Sequence, residues 1–115
     1  MRHIEDRIQR QCVEWFRAQY RHEKIFAIPN GGKRSKIEAA IMKASGVLSG
    51  VSDLFIPVPK SYHHGFFIEM KKPDGKPTPN QKEFLEYADS KNYRTSVIDS
   101  FDKFVEEVTE YMSNI

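Results

Sequence analysis

The chain has 115 residues, 39% of them hydrophobic and 30% charged, with a formal net charge of +2. That size suits one folded domain, residues 1–115, with a real core, and no apolar run approaches the roughly 20 residues of a membrane span. One cysteine, Cys12, excludes an internal disulfide framework and a Cys/His zinc cluster, and fits a reducing, cytoplasmic setting.

The first helix is predicted from about Ile4 to Tyr20. At about 100° per residue, Ile4, Ile8, Cys12, Val13, Trp15, Phe16 and Tyr20 sweep one apolar arc. Glu5 falls inside that arc and Glu14 opposite it. An acid on the inward side is the informative one, so Glu5 is a candidate functional carboxylate.

A short strand, Lys24 to Pro29, is closed by proline and the turn Asn30-Gly31-Gly32. A second helix follows, capped by Ser35, with Ile37, Ala40, Ile41 and Ala44 on one face and Gly46 as its stop. The basic residues beside the glycines, Lys33, Arg34 and Lys36, are suited to phosphates. The loop is not a P-loop, so no nucleotide cofactor is expected.

Val51 to Val58 reads as the second strand and Gly65 to Lys71 as the third, joined by a polar loop containing His63 and His64. Side chains alternate along a strand, so Glu69 and Lys71 share a face and Met70 points to the other. An antiparallel return brings Asp53, at the head of the second strand, beside that pair. Two carboxylates and an ammonium converging in an apolar stretch are costly to bury for structure alone, whereas a divalent metal with a negatively charged substrate makes sense of them. A structural alternative is an Asp53–Lys71 ion pair.

The loop K-P-D-G-K-P-T-P cannot hold regular structure. Thr78-Pro79-Asn80-Gln81 then opens a helix with a Thr cap, proline at the first position and a capping-box glutamine, which by itself accounts for Gln81. Phe84, Leu85 and Ala88 form its buried face. Arg94 to Ile98 is a fourth strand, and a last helix follows Ser100 with Phe101, Phe104, Val105, Val108, Tyr111 and Met112 inward. The order predicts an α/β sandwich around a mixed sheet. Charge is uneven: Lys72 and Lys76 flank the candidate site, while Asp99, Asp102, Glu106, Glu107 and Glu110 make the C-terminal stretch acidic, an asymmetry that steers a polyanion to one side.

The αβββαβ order, with an Asp opening one strand and E-x-K ending the next, resembles the PD-(D/E)XK nuclease superfamily, a restriction-endonuclease-like core. Serine, Ser52, stands where the motif's name has proline. Glu5 with Gln9, Asn30-Gly31-Gly32, Gly50-Val51-Ser52-Asp53-Leu54, Ile68-Glu69-Met70-Lys71 and Gln81 resemble, more narrowly, the virus-type replication-repair nuclease domain, VRR-NUC. The resemblance runs from about Glu5 to Phe104. It implies a Mg²⁺- or Mn²⁺-dependent nuclease acting on DNA in replication, recombination or repair, an endonuclease before an exonuclease, selective for branched or four-way-junction DNA. Asp53, Glu69 and the Met70 backbone carbonyl would be metal ligands, with Glu5 as a further one. Lys71 would orient the attacking water and Gln81 would position Lys71 or a phosphate. Lys33, Arg34, Lys36, Lys72 and Lys76 would contact DNA, and a homodimer would cut both strands of a junction. The alternative is a non-catalytic DNA-binding module that keeps the fold.

Overall fold

The structure, a computed structural model, describes residues 2–29 and 35–115. The Asn30-Gly31-Gly32 turn, Lys33 and Arg34 lie outside the described residues. In chain order the elements are α1 (Arg2–Gln19), β1 (Phe26–Ala27), α2 (Lys36–Ala44), β2 (Leu54–Ile56), β3 (Phe66–Met70), α3 (Pro79–Ser90), β4 (Arg94–Ile98) and α4 (Phe101–Met112). This is the expected order and type throughout. The sheet runs β1-β2-β3-β4: the first two pairings are antiparallel and the last is parallel, with α3 as the crossover.

Strand register decides which side chains meet. Leu54 pairs with Ile68 and Ile56 with Phe66. These four, with Met70 and Ile98, turn to one face and are fully or almost fully buried. α1 and α4 cover that face: Cys12 and Phe16 come from α1, and Phe104, Val108 and Tyr111 from α4. Trp15 meets Phe104 edge-on at 6.0 Å, and the Tyr111 ring lies 4.9 Å from Phe66. α3 covers the opposite face, where Phe84 meets Phe67 edge-on at 5.1 Å.

The helix starts follow local chemistry. Ser35 and Thr78 each accept from the backbone N–H three residues on, and Glu38 and Gln81 return the bond to the cap's own N–H. Ser100 caps α4 through Lys103 N–H. The strands are shorter than their apolar runs. β1 keeps only Phe26 and Ala27 of the span from Lys24 to Pro29, and β2 only three residues, because a ladder extends only where a neighbouring backbone stays alongside.

α2 departs from the pattern of the other helices. Its apolar face is solvent-exposed, with Ile37 74% and Ile41 60% accessible, and none of its residues is buried. Ile4, placed in the apolar arc of α1, is also 47% exposed, because the first turn of α1 extends past the end of the core.

One buried polar contact fastens α4 to the sheet layer. The Tyr111 hydroxyl donates to the Val58 carbonyl at 2.6 Å, and burial pushes the phenol's pKa up. Tyr111→Phe removes the donor and leaves that carbonyl without it. Urea melts of this variant are expected to lose about 1–3 kcal/mol, the cost of an unsatisfied buried acceptor, with little change in m-value.

Candidate active site

The antiparallel register between β2 and β3, extended by one residue, sets Asp53 opposite Glu69. Asp53 is held from both sides. Its backbone carbonyl accepts from Ile28 N–H at 2.8 Å, and its Oδ2 accepts from Met70 N–H at 2.8 Å. The carboxylate therefore continues the ladder where β2 has no further backbone to offer. A residue in a strand directs its N–H and C=O to the same edge, so the Met70 carbonyl also faces the Asp53 side. On its other edge β3 continues into Lys71, whose N–H donates to the Ile98 carbonyl at 2.9 Å.

Glu69 is 1% exposed, and its Oε1 has no hydrogen-bond partner among the described residues. Oε2 lies 3.5 Å from Lys71 Nζ. Burial, then the negative charge of Asp53, pushes the Glu69 pKa up to about 8, with Lys71 opposing the rise. The close contact of Lys71 is thus with Glu69, not with Asp53, and the structural alternative of an Asp53–Lys71 pair loses its central contact.

Around these groups is a cavity of about 440 Å³. One wall is the N-terminal part of α1, with Glu5, Asp6 and Gln9. A second is the turn Ser49-Gly50-Val51, and a third the start of α3, with Thr78 and Gln81. The second and third walls are pressed together at Gly50. Its φ is +94°, and a Cβ there would stand 2.4 Å from the Asn80 carbonyl oxygen, so only glycine permits the approach. Asn80 Nδ2 also donates to Ser49 Oγ at 3.2 Å.

Asp53, Glu69, Lys71, Gln81 and Glu5 therefore line one cavity. Glu5 is half-buried at its rim and does not close a cage. Among the described residues no three His, Cys, Asp or Glu side chains are grouped to hold a metal. Gln81 spends its Oε1 on Thr78 N–H at 2.9 Å, leaving the amide NH₂ as the group it presents. Lys36, at the first position of α2, and Lys72 and Lys76, in the loop after β3, are not among the described residues that line the cavity.

Asp6 was not singled out from the sequence, although it too lines the cavity. A helical projection centred on the apolar arc puts it outside. At about 100° per residue it lies only about 20° beyond Val13, the edge of that arc, on the same side as Glu5 and Gln9. Ser52 is fully buried, with an Oγ that finds no partner among the described residues.

The arrangement fits a hard divalent cation. The donor set is all oxygen: two adjacent carboxylates and a carbonyl on the same edge. An orphaned Glu69 oxygen and a proton retained to about pH 8 mark a site short of positive charge. Mg²⁺-type ions keep several waters and take one or two carboxylates plus substrate phosphate, so a complete protein cage is not required.

Comparison with known proteins agrees with this geometry. The VRR-NUC domain model matches residues 1–102. A solved structure described as a VRR_NUC domain protein superposes with a TM-score of 0.80 at 28% identity, covering 96% of this chain and 88% of that one. No curated protein matches. A family match over most of the chain, a shared fold and the D…E-x-K constellation at one cavity agree, and the chain belongs to the VRR-NUC family of nuclease domains.

Proposed function

We propose that this protein is a Mg²⁺- or Mn²⁺-dependent deoxyribonuclease, an endonuclease that selects branched DNA such as four-way junctions, and that it acts as a homodimer in replication, recombination or repair. The observation that carries the reading is the Asp53–Glu69–Lys71 cluster, with its partnerless buried Glu69 oxygen, at the floor of a cavity open to a phosphate.

Asp53, Glu69 and the Met70 carbonyl would hold the ion, with Glu5 reaching it from the rim. When bound, the ion supplies charge neutralisation at the scissile phosphate and a more acidic water. The chain's own groups do the rest. Asp53 is fixed by Met70 N–H and needs no reorganisation to serve as a ligand. Glu69 would hold the ion as its carboxylate, its proton passing to solvent. Lys71, 13% exposed at its side chain, places an ammonium beside Glu69, where it can orient the attacking water and donate to a phosphate oxygen. The Gln81 amide NH₂ offers a second neutral donor to the phosphate. Lys33, Arg34, Lys36, Lys72 and Lys76 would carry the flanking backbone contacts.

The homodimer is supported by the exposed apolar patch on and after α2, where Ile37, Ile41 and Leu48 are each at least 60% accessible. Apolar side chains left in solvent there are suited to a second copy, and two sites related by symmetry would address two strands. A cytoplasmic setting belongs to the same proposal, on the single cysteine of the chain, Cys12. Among the described residues no helix is long and apolar enough to cross a membrane.

The test is cutting of a labelled four-way junction and a matched linear duplex in Mg²⁺, Mn²⁺ or EDTA, with wild type and Asp53→Asn. Cutting that needs the metal and Asp53, with paired cuts in the junction, is the expected result. Junction binding without any cutting would instead identify a DNA-binding module that keeps the fold.

A further inference from the structure

The sheet face that carries the carboxylates also carries a row of aromatic rings. Register places Phe26 opposite Phe55 and Phe55 opposite Phe67, with ring centroids 5.7 and 4.3 Å apart. Tyr93, just before β4, extends the row, 5.2 Å from Phe67. The Phe55 ring lies over Gly65, where any Cβ would come within 2.7 Å of it. Phe67 stands two residues before Glu69 on the same strand and face, so ring and carboxylate are about 7 Å apart along the strand.

At its α3 end this row opens into a cleft of about 410 Å³. Phe67 and Tyr93 line it from the sheet side, Phe84 and Tyr87 from α3, with His64 and Lys91 completing it. Tyr87 is 59% exposed, and Lys91 Nζ sits 5.7 Å from the centre of its ring. None of the described lining residues is acidic, although α3 carries Glu83, Glu86 and Asp89 elsewhere on its surface. A cleft with aromatic side chains, a cation at its edge and no carboxylate matches a nucleotide: base against an exposed ring, phosphate against ammonium. An acidic or purely aliphatic partner would use only half of it.

We infer that this cleft is a stacking subsite for an unpaired base of the DNA strand that runs to the carboxylates. The inference rests on the nuclease reading above and deepens it. It gives the protein a way to prefer, among branched substrates, those such as flaps in which unpaired nucleotides lie near the scissile phosphate, since a base inside a duplex cannot enter the cleft without leaving its stack.

Binding of fluorescein-labelled oligothymidylate and of a blunt duplex, in Ca²⁺ in place of Mg²⁺, tests it with wild type, Tyr87→Ala and Tyr87→Phe. Tyr87→Ala is expected to weaken oligothymidylate binding about tenfold, and Tyr87→Phe to retain it. Blunt-duplex affinity should be unchanged in both. A 5-iododeoxyuridine in the oligonucleotide should crosslink to Tyr87 or Tyr93 on irradiation. Oligothymidylate binding by Tyr87→Ala equal to wild type, or equal losses on both probes, overturns the subsite while cutting by wild type leaves the nuclease reading standing. A shift of Tyr87→Ala from dimer to monomer in sedimentation also overturns it, because the cleft would then hold a second copy. If wild type binds neither probe and cuts nothing, the nuclease reading fails first and the subsite with it.

Discussion

Lys71→Ala should lose cutting by about 10²–10⁴-fold in single-turnover assays while keeping its fold, the range expected when a positioned group that handles the attacking water is removed. The fold is retained for a reason specific to this site. Deleting one partner of a buried ion pair ordinarily costs about 3–5 kcal/mol, because a bare charge is left behind. Here the charge left behind would be Glu69, whose pKa already stands at about 8 with the lysine present. Without Lys71 it moves higher still, and the side chain keeps its proton at neutral pH. The loss in a urea melt should therefore be about 1 kcal/mol, close to that of a neutral contact. A variant that unfolds at neutral pH would mean that the cluster is a structural ion pair. A variant that folds and cuts at the wild-type rate would remove Lys71 from the chemistry.

The second large effect concerns pH and Glu69. A carboxyl whose folded pKa, about 8, exceeds its ordinary value of 4.5 holds a proton in the folded state that the unfolded chain releases. Its contribution to stability is complete below about pH 4.5, falls through the window from 4.5 to 8, and is absent above it. The metal-free protein in EDTA should thus show a Tm that declines from pH 5 to pH 8.5. Cys12 does not interfere, since a thiol raised from 9.0 to about 12 makes the fold lose stability only above pH 9. Glu69→Gln, of nearly the same shape and without charge, should flatten the decline and melt higher than wild type at pH 8.5. Mg²⁺ should raise the Tm of wild type at that pH and leave Glu69→Gln unmoved, because ion binding draws on the carboxylate form. A wild-type Tm that is flat over this range, or a Mg²⁺ shift that survives Glu69→Gln, would take Glu69 out of the ion site.

The legible part of the molecule is the part governed by local rules. The two helix caps read from the chain, at Ser35 and Thr78, are both formed, because a side-chain oxygen meeting an N–H three residues on needs no distant partner. The shared face of Glu69 and Lys71 follows from strand alternation. The meeting with Asp53 follows from two adjacent apolar runs that pair antiparallel, since slipping the register by one would turn Leu54 and Ile56 out of the core.

Long-range contacts decided the remainder. The face of α2 that repeats at helical spacing stays in solvent, because periodicity states which residues share a side and not whether anything covers that side. Glu5, Asp6 and Gln9 reach one cavity with Asp53 and Glu69 because tertiary packing brings the start of α1 beside the strand ends. Lys71 Nζ lies beside Glu69, with which it shares a strand face, while Asp53 Oδ2 takes the Met70 N–H. The aromatic row shows the division most clearly. Phe26, Phe55 and Phe67 are distant in sequence and each reads as an ordinary strand residue. Only strand pairing stacks them beside the carboxylates, since backbone hydrogen bonds, not side-chain pattern, set which residues of different strands stand opposite.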